Sequence, residues 1–227
     1  MESVVKILDI TEVTHNVKRF LVEKPSGYLF TPGQAVELAI NKDGFRDKHN
    51  PFTFTSLPQW ENLEFTIKGY PVSQYPNHKG VTEELHKLKV GDELILRESF
   101  GTIHYKKEGI FIAGGAGITP FISIFRQLKT EGKVGNNKLV FSNKTHGDII
   151  YEEELRKIFP TGNLILVLTQ EKLQDYEYGR INENLLRKHV NDFSKNFYLC
   201  GPWKMVESMQ EILGKLGANQ ESIVFEE

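Results

Sequence analysis

Two glycine-bearing segments hold the residue types best suited to binding an anionic ligand. Gly114-Gly115-Ala116-Gly117-Ile118-Thr119-Pro120 follows the apolar run Ile110-Phe111-Ile112-Ala113 and opens the apolar-periodic stretch Phe121 to Phe125. Strand, glycine turn and helix start come in the order that a pyrophosphate requires. Glycines let the backbone approach the anion, and a helix N-terminus presents unpaired N–H groups to it. Pro120 fits the first helical turn, where its missing donor is not needed. Taken alone, the turn is equally a tight strand-to-helix connection, and its spacing departs from G-x-G-x-x-G because Pro120 stands where the third glycine belongs. Cys200-Gly201-Pro202-Trp203-Lys204-Met205 repeats the arrangement between the apolar run Phe197-Tyr198-Leu199 and a helical pattern. Two such turns at the carboxyl ends of one parallel sheet would flank a ligand crevice. A lone cysteine is more often a small buried hydrophobe, and it is the position of Cys200 at a strand end that singles it out.

Two further segments could touch phosphate or ribose. Ser142-Asn143-Lys144-Thr145 follows the apolar run Leu139-Val140-Phe141, at the end of a second parallel strand where dinucleotide choice is read. No carboxylate stands at that tip and Lys144 could meet a 2′-phosphate, although one lysine on a polar turn is usually just solvated. The residues lean toward NADPH and leave NADH open. Lys79-Gly80-Val81-Thr82-Glu83-Glu84 places a glycine and a hydroxyl residue at a helix start, which suits a diphosphate. A plain threonine cap with acids in the first turn explains it equally, and in the phosphate reading Glu83 and Glu84 must point away.

The elements that would hold these residues fall into two rhythms. Up to about Arg97 the chain alternates with period two, as in Val17 to Val22 and Leu63 to Lys68, punctuated by Pro32-Gly33 and Gly69-Tyr70-Pro71. This predicts an N-terminal antiparallel Greek-key β-barrel with one helix inserted near Thr82 to Leu88. After Gly109 compact apolar runs (110–113, 139–141, 164–168, 197–200, 223–225) alternate with helical patterns near 119–130, 150–159, 181–190 and 202–216. The expectation is a C-terminal five-stranded parallel α/β domain. The domains are placed at 1–104 and 105–227, with the boundary in the polar segment Ile103 to Glu108.

Composition narrows the function class. The 227 residues are 39% hydrophobic and 26% charged, with 28 Lys+Arg against 30 Asp+Glu for a formal charge of −2, which advertises neither nucleic acid nor an anionic membrane. The first residues lack the pattern of a secretory signal, and no apolar run approaches the ~20 residues that cross a bilayer, so a cytoplasmic enzyme is expected. One cysteine excludes an internal disulfide and a four-cysteine iron–sulfur cluster, and the seven histidines show no metal-site spacing.

Taken together, Phe30-Thr31-Pro32-Gly33-Gln34, Asn50-Pro51-Phe52-Thr53, Lys79-Gly80-Val81-Thr82, Gly114 to Pro120 and Cys200-Gly201-Pro202 resemble the ferredoxin-NADP reductase superfamily, especially its compact bacterial flavodoxin reductases. The likeness covers essentially the whole chain, with five motifs in order. It implies a flavin-binding barrel, a pyridine-nucleotide domain and an active site in the cleft between them. In the family the segment at Asn50 reads Arg, any residue, Tyr, then Ser or Thr. Phe52 would therefore lie against the isoalloxazine and Thr53 near the reactive flavin nitrogen, while Asn50 replaces an arginine that contacts the flavin pyrophosphate. Arg46, Lys48 or His49 could supply that charge. Burial of alternating strand aromatics is the simpler account of Phe52 and Phe54. The resemblance also assigns Ile67, Lys68, Gly80, Val81, Thr82, Met205 and Phe225 to cofactor binding, beside Gly115, Gly117, Thr119, Pro120, Asn143, Lys144, Cys200, Gly201 and Pro202. Phe225 is equally a last strand residue before an acidic tail.

Hydride transfer asks little acid–base chemistry of a protein, since the cofactors carry the reactivity. Thr53, Thr119 and Cys200 are accordingly expected as orienting groups at the reacting centre. The implied cofactors are FAD, with FMN open, and NADPH or NADH. The implied partner is a separate acceptor such as a ferredoxin or flavodoxin, with no nucleic acid, no membrane and a monomeric chain. A reductase of diffusible flavin and a non-catalytic nucleotide-binding module are the alternatives.

Overall fold

The computed structural model describes residues 2–76, 80–101 and 103–225. The chain divides into two compact units, residues 1–101 and 102–227.

In the first unit the strands are β1 (Ser3–Thr14), β2 (Val17–Val22), β3 (Ala35–Ile40), β4 (Asn50–Thr53), β5 (Leu63–Lys68) and β6 (Glu93–Phe100), with α1 (Val81–Leu85) between the last two. They form one sheet in the order β4-β3-β6-β1-β2-β5, and each neighbouring pair is antiparallel. A single antiparallel bridge between Phe54 and Phe65 joins the chain just after β4 to β5, so the two edges of the sheet meet. Alternation supplies the interior. Val5, Ile7, Phe20, Val22, Val36, Leu38, Leu63, Phe65, Leu94 and Leu96 are buried in one cluster, and α1 adds Val81 and Leu85. Phe54 lies at its centre, stacked on Phe30 at 4.2 Å and tilted on Phe65 at 5.2 Å. β5 is buried on its second face as well, where Glu64 and Thr66 meet Thr55, whose hydroxyl donates to Glu64 Oε1 at 2.8 Å.

The second unit holds β7 (Gly109–Gly114), α2 (Thr119–Thr130), β8 (Lys138–Asn143), α3 (Glu152–Ile158), β9 (Leu164–Leu168), β10 (Glu177–Tyr178), α4 (Glu183–His189), β11 (Asn196–Cys200), α5 (Trp203–Lys215) and β12 (Ile223–Phe225). All pairings are parallel, in the order β10-β9-β8-β7-β11-β12. The sheet thus has six strands where five were expected. The additional one, β10, is two residues long and carries no apolar run, so periodicity could not reveal it. Among the described residues no helix is long and apolar enough to cross a membrane.

Tyr198 anchors the start of this unit. Its ring is fully buried and stacked on Phe111 at 4.3 Å, and its hydroxyl accepts from the N–H groups of Lys106 and Lys107 at 3.0 and 3.1 Å while donating to the Lys107 carbonyl at 2.7 Å. Tyr198→Phe keeps the ring and strands three backbone groups, so it is expected to cost about 2–3 kcal/mol in urea unfolding. A loss within experimental error would show that those groups find water at no cost.

Candidate functional site

The order β9-β8-β7-β11-β12 runs outward in both directions from β7, so the topological switch point lies between β7 and β11. Both glycine turns stand there. Gly114 closes β7, residues 115–118 form a single 3-10 turn, and α2 begins at Thr119 with Pro120 in its first turn. Beside it, Cys200 ends β11 in register with Ala113.

The two turns are pressed together. A Cβ on Gly117 would sit 2.4 Å from the Cys200 carbonyl oxygen and 2.6 Å from Gly201 Cα. One on Gly114 would meet Met205 Sδ at 2.7 Å, and one on Gly201 would meet Met205 Cε at 2.7 Å. Gly117 is therefore required by packing against fixed backbone, whereas at Gly114 and Gly201 the nearest atoms belong to the flexible end of the Met205 side chain, which lies between the two turns. Gly115 differs: its φ is +52° and nothing lies within 4 Å of the position a Cβ would take. It is the residue of the turn whose backbone faces open space.

Around this centre, the half-buried Thr119 donates its hydroxyl to the Ala116 carbonyl at 3.0 Å, which leaves its oxygen lone pairs available. Cys200 is half-buried, Pro202 is exposed, and Phe225 is half-buried against the core of the same unit. Asn143 departs from the polar-turn reading. It is 5% exposed, and both its amide nitrogen and its amide oxygen are buried without a hydrogen-bond partner. Lys144, the next residue, is exposed.

In the barrel unit, β4 pairs antiparallel with β3, Asn50 opposite Leu38, Phe52 opposite Val36 and Thr53 opposite Ala35. Phe54 is wholly buried, whereas Phe52 is half-buried at the margin of the core and Pro51 is exposed. The two phenylalanines therefore have different surroundings despite their shared parity. Among the described residues the Thr53 hydroxyl and the Asn50 amide have no hydrogen-bond partner. The basic residues near Asn50 have other company: Arg46 Nε donates to Asn41 at 2.9 Å, Lys48 sits 4.4 Å over the Phe45 ring, and His49 faces Glu2 at 3.7 Å with its Nδ1 buried and unpaired among the described residues.

Gly80 caps α1 in the left-handed region at φ 77°, and Thr82 Oγ1 accepts from Tyr70 N at 3.2 Å. The two acids are turned onto other partners. Glu83 accepts from Val72 N at 2.7 Å and pairs with Lys87 at 3.1 Å, and Glu84 pairs with Lys42. Val81 and Ile67 point into the barrel core, so only their backbone is open to a ligand, and the Ile67 carbonyl is already taken by His86. Lys68 is half-buried, 6.0 Å from the Tyr70 ring. Lys79 lies outside the described residues.

Sequence reasoning did not single out His86. Its Nε2–H donates to the Ile67 carbonyl at 2.9 Å, and its ring covers Gly69, where a Cβ would be 2.9 Å away. It thereby ties the end of β5 to the end of α1. Burial pushes its pKa below the ordinary 6.5, against the opposing effect of the Ile67 bond. The unfolded chain therefore holds the extra proton between that lowered value and 6.5. Stability is expected to be flat above pH 6.5 and to fall as pH drops through the window below it. Urea midpoints against pH should show this slope, and His86→Gln should remove it.

Residues 111–211 match the oxidoreductase NAD-binding domain family. The chain is 27% identical over 218 residues to the reductase component of propane 2-monooxygenase from Rhodococcus jostii (strain RHA1), covering 89% of this chain and 56% of that protein. It is 29% identical over 251 residues to NADH-cytochrome b5 reductase 1 of Homo sapiens, covering 95% and 82%. Over most of its length the chain is thus similar to reductases of this kind. The fold is shared with a solved structure: the flavohem-like FAD/NAD-binding domain of nitric oxide dioxygenase from Vibrio cholerae O1 biovar El Tor superposes with a TM-score of 0.87 at 19% identity, covering 98% of this chain and 96% of that one. The chain spans just over half the length of its Rhodococcus relative.

Proposed function

We propose that the chain is an NAD(P)H-dependent flavoprotein reductase that passes electrons to a separate acceptor. The observation that carries this reading is the pair of glycine turns packed against one another at the strand-order reversal of a parallel sheet, with Gly115 left facing open space. That is where such sheets receive a dinucleotide. The residues present fit both groups. Gly115, Thr119 and the α2 N-terminus suit a pyridine dinucleotide. Phe52, the Thr53 hydroxyl, Gly80 and Thr82 suit FAD in the barrel unit, with Glu83 and Glu84 directed onto Val72, Lys87 and Lys42.

Once bound, the two groups supply hydride chemistry, from nicotinamide to flavin. The chain's contribution is to bind and orient. Phe52 offers an apolar face to a ring, and Thr53 offers a hydroxyl with no partner among the described residues. Thr119 and Cys200 border the switch point as orienting groups. The names of the relatives, a monooxygenase reductase component and a cytochrome b5 reductase, support onward transfer to a protein acceptor such as a ferredoxin or flavodoxin. With FAD supplied, the purified chain is expected to oxidise NADH or NADPH when given an artificial one-electron acceptor. Failure with both nucleotides would sink the proposal.

One observation favours a second reading, in which flavin is a diffusible substrate. Asn50 carries no charge, and nearby Arg46 and Lys48 lie against Asn41 and Phe45. A flavin that elutes separately on gel filtration, yet sustains turnover when added back, would establish this form.

A further inference from the structure

In a parallel sheet of this order the adenosine ribose falls at the carboxyl end of the strand beside the glycine turn. A carboxylate there holds the free diol, whereas cations and backbone N–H groups receive a 2′-phosphate. Here that strand is β8, which ends at Asn143, and the loop is 144–148. Three of its phosphate-type donors are the Thr145 N–H, the Thr145 hydroxyl and the His146 N–H. All three are filled from within the chain. Asp148 Oδ2 accepts from Thr145 N at 3.0 Å and from Thr145 Oγ1 at 2.7 Å, and Glu171 Oε2 accepts from His146 N at 2.7 Å.

Glu171 is placed there by the backbone. Bonds of 2.9 Å from Thr169 N to the Asn143 carbonyl and from Gln170 N to the Lys144 carbonyl extend the β8–β9 pairing up to the residue before it. The nearby basic side chains are partly committed. Arg156 Nε and His146 Nε2 lie on Glu152 at 2.8 and 3.0 Å, and the Tyr176 hydroxyl donates to the same carboxylate at 2.6 Å. Lys144 and Lys172 remain as exposed point charges without the fork geometry of a built phosphate site. A 2′-phosphate would have to displace two carboxylates from three short hydrogen bonds while facing their charge.

We propose that this loop selects the dinucleotide with an unphosphorylated adenosine ribose, NADH over NADPH, with Glu171 as the specificity-determining carboxylate. Its Oε1 has no partner among the described residues and is free to accept from a ribose hydroxyl. The inference rests on the nucleotide reading of the α/β unit and adds to it.

The test is calorimetric titration of the full chain with ADP-ribose and with 2′-phospho-ADP-ribose, which lack the nicotinamide and so bypass flavin and hydride chemistry. ADP-ribose is expected to bind at least about tenfold more tightly. Glu171→Gln should narrow the gap to about threefold or less, whereas Lys144→Ala should move it by no more than about twofold. Thermal unfolding of each variant checks that it is folded. Equal or tighter binding of the phosphorylated ligand, or an unchanged gap in Glu171→Gln, overturns this inference alone. Binding of neither ligand overturns it together with the nucleotide reading.

Discussion

Phe54→Ala is expected to destabilise the barrel unit by about 3–5 kcal/mol, whereas Phe52→Ala costs only about 1–2 kcal/mol and acts on flavin retention instead. The contrast follows from surroundings that identical side chains two residues apart do not share. Phe54 is fully buried, stacked on Phe30 and in contact with Tyr28 and Phe65, and its removal leaves a cavity at the point where the sheet closes on itself. Phe52 is half-buried at the core margin on β4, with part of its ring free for another group. Urea unfolding measures the first quantity and flavin fluorescence titration the second. If Phe52→Ala weakens stability as much as Phe54→Ala and leaves flavin affinity unchanged, Phe52 is simply a core residue.

In the α/β unit Gly117→Ala is expected to cost about 2–3 kcal/mol and to abolish measurable dinucleotide binding, because the new methyl group would stand 2.4 Å from a backbone carbonyl that cannot rotate away. The two turns must then separate, and with them the ends of β7 and β11. Gly115→Ala tests the reason. Its Cβ enters open space, so the cost is limited to the left-handed backbone at φ +52°, about 1 kcal/mol. The sheet should remain intact, and any loss of binding in that variant reflects the methyl group standing where the ligand approaches. Equal destabilisation by the two substitutions would contradict this division of labour within the turn.

Much of this architecture is legible in the amino-acid order, for identifiable physical reasons. The strand at 164–168 matches its apolar run residue for residue, since a strand buried on both faces has no other way to read, and the last strand at 223–225 also matches its run although only Val224 is fully buried. The inserted helix and the glycine turns follow from local punctuation. What local patterns cannot carry is partnership. β10 is a polar edge pair recognisable only from its parallel pairing with Val167 and Leu168. Ser142 to Thr145 reads as a solvated turn, yet Asn143 is buried, and the carboxylate that arrives at His146 comes from Glu171, 25 residues along the chain. The tip without an acid, which leans toward NADPH in sequence, thus acquires one in space. His86 escaped notice for the same reason, because its value lies in the Ile67 carbonyl and Gly69 backbone it meets 19 and 17 residues away.

The most direct test of the central claim is anaerobic mixing of the flavin-loaded chain with NADH carrying deuterium at the transferable position of the nicotinamide ring. Flavin absorbance should bleach in a single turnover, and the deuterated nucleotide should slow that bleaching severalfold relative to unlabelled NADH. A flavin that stays oxidised under both NADH and NADPH would contradict the account.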